Sequence, residues 1–235
     1  VVGGQSVNLW VEFYRGALPE LLEDGPFTSK DIDFLHNSAA EDGLVADLGG
    51  KLILPDGADH TPNAALFVGE LNGREVKIDF MRSVLGVNDA ELRRQFVTIG
   101  GEDAQGQGVS VLVMHPLHCF QSRLANIHTL GRRDAVALRQ ARATVQVLRV
   151  FIDDLLSRGE FREAQDVLRN YFYTLKKSYF GKAAHTEINL HAERVLMEFQ
   201  SDERLDLRWR NNQLARFVAD AENLRARALH VDPSH

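Results

Sequence analysis

"VVGGQSVNLW" (residues 1–10) sets two apolar residues, a glycine pair and two polar residues ahead of an apolar stretch. Val1-Val2 reads as the end of a strand. From Gln5 to about Arg15 the residues Val7, Leu9, Trp10, Val11 and Phe13 read as the apolar positions of a helix. A glycine pair at such a junction lets backbone approach a ligand closely, and the N–H groups of a helix start point toward an anion. The stretch therefore predicts a strand, a turn and a helix, with Gly3 and Gly4 as a phosphate cradle.

Outward from this unit, the first half of the chain alternates short strands with turns. A Gly/Pro-containing segment runs from Gly16 to Lys30, and "DIDFL" (31–35) then alternates polar and apolar residues. "KLILP" (51–55) reads as a buried strand. "ALFVGEL" (65–71) meets "REVKIDFMR" (74–82) across Asn72-Gly73, the strongest short hairpin signal. "SVLVMHP" (110–116) reads as a last strand stopped by Pro116, and "GGEDAQGQG" (100–108) as a polar loop.

Three acids in these strands need a physical reason. Asp31 and Asp33 are two apart, so on a strand their carboxylates leave one face while Ile32 faces the other way. In "VKIDF", Val76, Ile78 and Phe80 share a face and leave Asp79 opposite, with Lys77. Carboxylates crowded on one sheet disfavour joint ionisation, so a cation is expected among them. Mg²⁺ fits, being a hard cation that takes carboxylate oxygens and keeps positions for phosphate and water. Two ions could steady both the attacking hydroxyl and the departing pyrophosphate. Gly3-Gly4, Asp31/Asp33 and Asp79 then divide the work as nucleotidyl transfer requires, since positioning and charge neutralisation carry that reaction.

After Pro116 the pattern turns almost wholly helical. Stretches 117–130, 134–158, 160–180, 184–200 and 203–229 carry apolar residues three and four apart, with breaks at Gly131, Gly159 and Gly181. The expected class is α+β, with a mixed-sheet core over residues 1–115 and a helical domain over 116–235. Charge follows the same division. Residues 1–115 hold 8 Lys and Arg against 18 Asp and Glu, and residues 116–235 hold 19 against 15. The second half is far short of the basicity of a dedicated nucleic-acid binder. No apolar run approaches the roughly 20 residues of a membrane-spanning helix, and a cytoplasmic setting without membrane partners is expected. The lone Cys119 has no internal disulfide partner and fits a reducing compartment as a small buried residue.

Other candidates have a plain structural reading. Nine histidines show no convincing ligand spacing: His115 and His118 flank a strand-to-helix turn, and His185 and His191 fall on different faces of one expected helix. "RNYFYTLKKSYFGK" (169–182) interleaves basic and aromatic residues, as an amphipathic helix with a core-facing aromatic side does, or as a stacking surface for nucleic acid does. Lys51 and Lys77 suit a phosphate contact or a solvated strand edge equally.

"VVGGQSVNL", "TSKDIDF" and "VKIDF" resemble the successive motifs of the polymerase-beta-type nucleotidyltransferase superfamily: glycine turn, Asp-x-Asp strand, third Asp strand. Within it they look like the AbiEii-like and MenT-like branch, many members of which are toxins of toxin–antitoxin or phage-defence systems. "HPLHCFQSRLANIHTLGRRDAVAL" (115–138) is similar to that branch's helix bearing a Lys or Arg and the basic-Asp element after it. The resemblance implies a nucleotidyltransferase-type mixed sheet with flanking helices and a C-terminal helical bundle. It implies an NTP substrate such as ATP and two Mg²⁺ ions held by Asp31, Asp33 and Asp79, the last also drawing the proton from the acceptor hydroxyl. Gly3, Gly4, Gln5, Ser6 and Arg123 would meet the nucleotide, with Asp134 and Lys77 as further members. The acceptor is open between an RNA or tRNA end, a protein hydroxyl and a small molecule, and a cognate antitoxin is an implied partner. Two departures stand out. Gln5 follows the glycines where a Ser or Thr is usual, with Ser6 one place later, and 26 residues separate Gly4 from Asp31. Gln5 leaves room for a non-catalytic nucleotide-binding or interaction protein on the same fold.

Overall fold

The computed structural model describes residues 1–23, 32–56, 62–102, 105–189 and 191–229. The chain is mixed α and β, as its composition of strands followed by helices predicts. It divides into two compact units, one of Val1–Phe13 and Leu22–Ser122, the other of Tyr14–Leu21 and Arg123–His235. The division by sequence at residue 115 thus meets a different partition, in which a short N-terminal segment belongs to the helical unit.

In the first unit, helix α1 (Gly3–Phe13) is followed by β1 (Ile32–Leu35), α2 (Ser38–Leu48), β2 (Lys51–Ile53), β3 (Asn63–Leu71), β4 (Arg74–Met81), α3 (Asp89–Arg94), β5 (Phe96–Glu102) and β6 (Gly108–Met114). A four-stranded sheet has the order β1-β4-β3-β2, with β1 parallel to β4 and the other pairs antiparallel. The expected hairpin forms at Asn72-Gly73, where both residues have positive φ (53° and 75°), as the tight primed turns that match strand twist require. One face of the sheet carries Ala65, Phe67, Ile78 and Phe80, onto which Phe34, Leu44 and Val45 pack. That face carries one apolar cluster of the unit, against which α2 packs through Leu44 and Val45.

Strands β5 and β6 form a separate antiparallel pair. Val1-Val2 links it to the larger sheet by backbone bonds: Val2 N–H donates to Asp33 O at 2.8 Å, and Met114 N–H donates to Val1 O at 3.0 Å. Trp10 is buried and donates its indole N–H to Met114 O at 2.8 Å, which fixes α1 to β6.

The "KLILP" strand is an edge rather than a buried strand, with Leu54 70% exposed. The segment 100–108 is no loop at its ends, because Gly100, Gly101 and Glu102 pair with Ser110, Val109 and Gly108. Helix α2 escapes a periodicity reading because it buries little. It is instead set by its cap: Asn37 accepts the Ala39 and Ala40 N–H groups, and Glu41 takes the Asn37 N–H.

The second unit contains most of α4 (Pro116–Leu130), then α5 (Ala135–Ser157), α6 (Phe161–Lys177), α7 (Ala183–Thr186), α8 (Glu193–Gln200), α9 (Leu207–Trp209) and α10 (Ala215–Leu229). Gly159, at φ 79°, ends α5 in a left-handed cap in which Glu160 N–H bonds Leu155 O and Gly159 N–H bonds Leu156 O. The single helix expected over 184–200 is broken between α7 and α8, where Asn189 has φ 46°. The one expected over 203–229 passes through a π-helical turn at Arg210–Leu214. Three aromatic residues of 169–182, Tyr171, Phe172 and Phe180, serve the core, whereas Tyr179 is exposed: Phe172 stacks on Phe217 at 4.3 Å, and the buried Tyr171 hydroxyl donates to Ala192 O. Lys176 and Lys177 stay at the surface, Lys176 paired with Asp220.

Candidate functional site

Val1-Val2, expected as a strand end, is not in a strand, and Gly3 and Gly4, expected as a turn, are the first two residues of α1; they and the acidic strands lie in the first unit. Gly3 opens α1 with φ 66°, a backbone state that glycine adopts without penalty. A Cβ built on Gly3 would fall on Asp33 Oδ2 and lie 2.9 Å from Asp33 Cγ. The absence of a side chain at position 3 is what admits this carboxylate to the amino end of α1, where the helix's partial positive charge favours an anion. A phosphate brought to the same helix end meets that carboxylate, so charge balance there calls for a cation.

Asp33 and Asp79 are register partners on the parallel strands β1 and β4. Their neighbours Phe34 and Phe80 face the core, with ring centroids 6.2 Å apart, so the two carboxylates share the opposite face. Of the residues expected at the site, the structure brings Gly3 against Asp33 and sets Asp79 in register beside it. Asp31, the first acid of the Asp-x-Asp pair, lies outside the described residues. Among the described residues, no three His, Cys, Asp or Glu side chains gather closely enough to hold a metal ion. Asp33 and Asp79 supply hard carboxylate oxygens, which suit Mg²⁺.

The residues after the glycines behave differently from expectation. Gly4 is buried. Gln5 is half-buried and its Oε1 accepts from Asn8 Nδ2 at 3.1 Å. Ser6 is fully buried; its hydroxyl donates to Gly3 O at 2.7 Å and lies 3.3 Å from Cys119 Sγ. Ser6 thus braces the turn from inside rather than presenting a hydroxyl to a ligand. Cys119 is buried, in the role expected of it. Lys77 shares the Asp79 face but is exposed and paired with Glu75 at 3.0 Å. Arg123 and Asp134 belong to the second unit. Arg123 donates to Gln140 Oε1 at 3.2 Å, and Asp134 caps α5 by accepting the Ala137 N–H at 3.0 Å.

Two features escape the sequence reading. Asn63, at the start of β3, donates its amide N–H to Asp79 Oδ1 at 2.8 Å. His36 follows β1 directly and contacts the buried Glu41 carboxylate through Nδ1 at 2.5 Å. An Asn ahead of an apolar strand carries no signal of its own. The His36–Glu41 pair is legible only once α2 is recognised.

His115 and His118 open α4 from within the core. His115 Nδ1 accepts the Leu117 N–H at 3.1 Å and so caps the helix whose first residue is Pro116. Burial, with the neighbouring His118, pushes the His115 imidazole down to about 3, and burial pushes His118 down to about 4. Both rings are neutral structural groups at neutral pH.

Comparison with known proteins gives no matching family model, no matching curated protein and no matching solved structure. No helix among the described residues is long and apolar enough to cross a membrane.

Proposed function

We propose that the chain is a Mg²⁺-dependent nucleotidyltransferase that moves a nucleoside monophosphate from an NTP to a hydroxyl acceptor. The observation that carries this reading is the seat of the Asp33 carboxylate on Gly3 at the amino end of α1, with Asp79 in register beside it. Phosphate would be received at the amino end of α1, beside Gly3. Asp33 and Asp79, joined by Asp31 on the resemblance, would hold the metal, which when bound neutralises phosphate charge next to the carboxylates. Asp79 draws the proton from the acceptor hydroxyl as its oxygen bonds the α-phosphorus. The bond from that phosphorus to the bridging oxygen breaks, and pyrophosphate leaves with the electron pair. The acceptor is an RNA or tRNA end, a protein hydroxyl or a small molecule, and a toxin role with a cognate antitoxin follows from the resemblance alone.

A second reading is a nucleotide-binding or interaction protein on the same fold without turnover. It is favoured by the engagement of Gln5 with Asn8 and the burial of the Ser6 hydroxyl, which leave the turn without the usual phosphate-facing hydroxyl.

The deciding experiment incubates the purified protein with Mg²⁺ and each labelled NTP, with and without total tRNA, and follows pyrophosphate release and label transfer. Transfer that disappears in Asp33→Asn and Asp79→Asn supports the enzyme and identifies its acceptor class. Wild-type turnover in both variants ends the carboxylate mechanism. Nucleotide-dependent thermal stabilisation without pyrophosphate release supports the second reading. Growth arrest on induced expression, relieved by Asp79→Asn, would assign the toxin role.

A further inference from the structure

Strands β3 and β4 pair without interruption from Leu71↔Arg74 to Ala65↔Phe80, and the next pair is Asn63↔Met81. Ala64 is therefore an extra residue, a β-bulge. In an unbroken ladder Ala64 would oppose Met81, and alternation would turn Asn63 to the face of Ala65 and Phe67, into the apolar core. The bulge reverses that outcome. Ala64 and Ala65, consecutive in sequence, both enter the apolar cluster, and Asn63 comes onto the face of Met81 and Asp79. There its Nδ2 donates to Asp79 Oδ1 at 2.8 Å. An ionised carboxylate only accepts, so the amide must offer its NH₂ edge, and fixing one carboxylate oxygen fixes the direction of the other.

We propose that Asn63 is a positioning residue that holds Asp79 in place for a divalent cation shared with Asp33. The inference rests on the nucleotidyltransferase reading for its choice of Asp33 and Asp79 as the metal-holding pair. Its own content is the bulge and the amide bond, which no motif reports. Hydrogen bonds to ligating carboxylates orient them, and removing such a partner typically costs about 10–100-fold in metal affinity.

The test is Mn²⁺ binding to the full chain, read from the electron paramagnetic resonance signal of the free ion, in wild type, Asn63→Ala, Asn63→Leu, Asp79→Asn and Asn63→Ala/Asp79→Asn. Thermal melting and circular dichroism establish that each variant is folded. The expected result is Mn²⁺ binding that Asp79→Asn weakens to a residual level and that both Asn63 variants weaken about 10-fold or more. Asn63→Ala should add no further loss in the Asp79→Asn background, because Asn63 acts through Asp79. A variant of Asn63 that melts earlier but binds Mn²⁺ as wild type does would overturn the inference while leaving the carboxylate pair intact. An additive loss in the double variant would also overturn it. Mn²⁺ binding indifferent to Asp79→Asn, or absent in wild type, would overturn both the inference and the metal-dependent reading beneath it.

Discussion

The Asp33 carboxylate fills the space that a side chain on Gly3 would occupy. Two costs therefore fall on Gly3→Ala. The positive φ of 66° charges an L-residue about 1–2 kcal/mol, and the new methyl must displace Asp33 from the amino end of α1. The expected outcome is a stability loss of at least about 2 kcal/mol, together with loss of any activity that depends on Asp33. Gly16→Ala is the control, because a Cβ there meets nothing within 4 Å. Denaturant unfolding of the two variants checks this, and a difference no larger than the backbone penalty of about 1–2 kcal/mol would show that Asp33 yields without cost.

Asp134 carries two incompatible expectations. The resemblance makes it an acidic member of the nucleotide site, whereas its Oδ1 accepts the Ala137 N–H as the N-cap of α5. Asp134→Ala should lower stability by about 1 kcal/mol on the capping account. Asp134→Ser keeps a capping oxygen and should restore it. Nucleotide transfer in the serine variant separates the roles: retained transfer leaves Asp134 a cap alone, and transfer lost from a fully stable Asp134→Ser assigns it chemistry.

In the helical unit the Phe172–Phe217 stack joins α6 to α10 with both rings buried. Phe172→Ala should destabilise by about 3–5 kcal/mol, the range for deleting a buried aromatic ring. Phe172→Leu should recover much of that loss. Tyr173→Ala, on a less buried neighbour, should cost less, and a reversal of that order in thermal melting would contradict the assignment of Phe172 to the core.

The legibility of this chain depends on how local each determinant is. Asn72-Gly73 announces its turn because positive φ at two successive residues restricts the residue types that fit. The shared face of Ile78 and Phe80, and the opposite face of Asp79, follow from strand alternation alone. What could not be read is what alternation does not govern. The bulge at Ala64 changes which face Asn63 occupies, and no residue type at that position signals an extra residue. The pairing of Gly100 and Gly101 with β6 is a tertiary choice that overrides their turn preference. Ser6 has the hydroxyl that the motif places one residue earlier, but one position along a helix turns a side chain by about 100°. That rotation takes it into the core, beside Cys119.

Acid sensitivity should arise from the start of α4. His115 and His118 are held below the ordinary imidazole range, at about 3 and about 4, by burial in both cases. In the unfolded chain each takes a proton near 6.5, so below that pH the unfolded state binds more protons and stability falls. The stability associated with the neutral rings is intact above about pH 6.5. It declines by up to about 1.4 kcal/mol per pH unit for each ring as the pH falls toward the folded values. Protonating His115 at Nδ1 also removes the acceptor for the Leu117 N–H and with it the cap of α4. Urea unfolding between pH 7 and pH 5 should show this slope, and His118→Leu should reduce it by about 1.4 kcal/mol per unit. An unchanged slope in that variant would mean that His118 is already solvated in the native state and contributes nothing to acid unfolding.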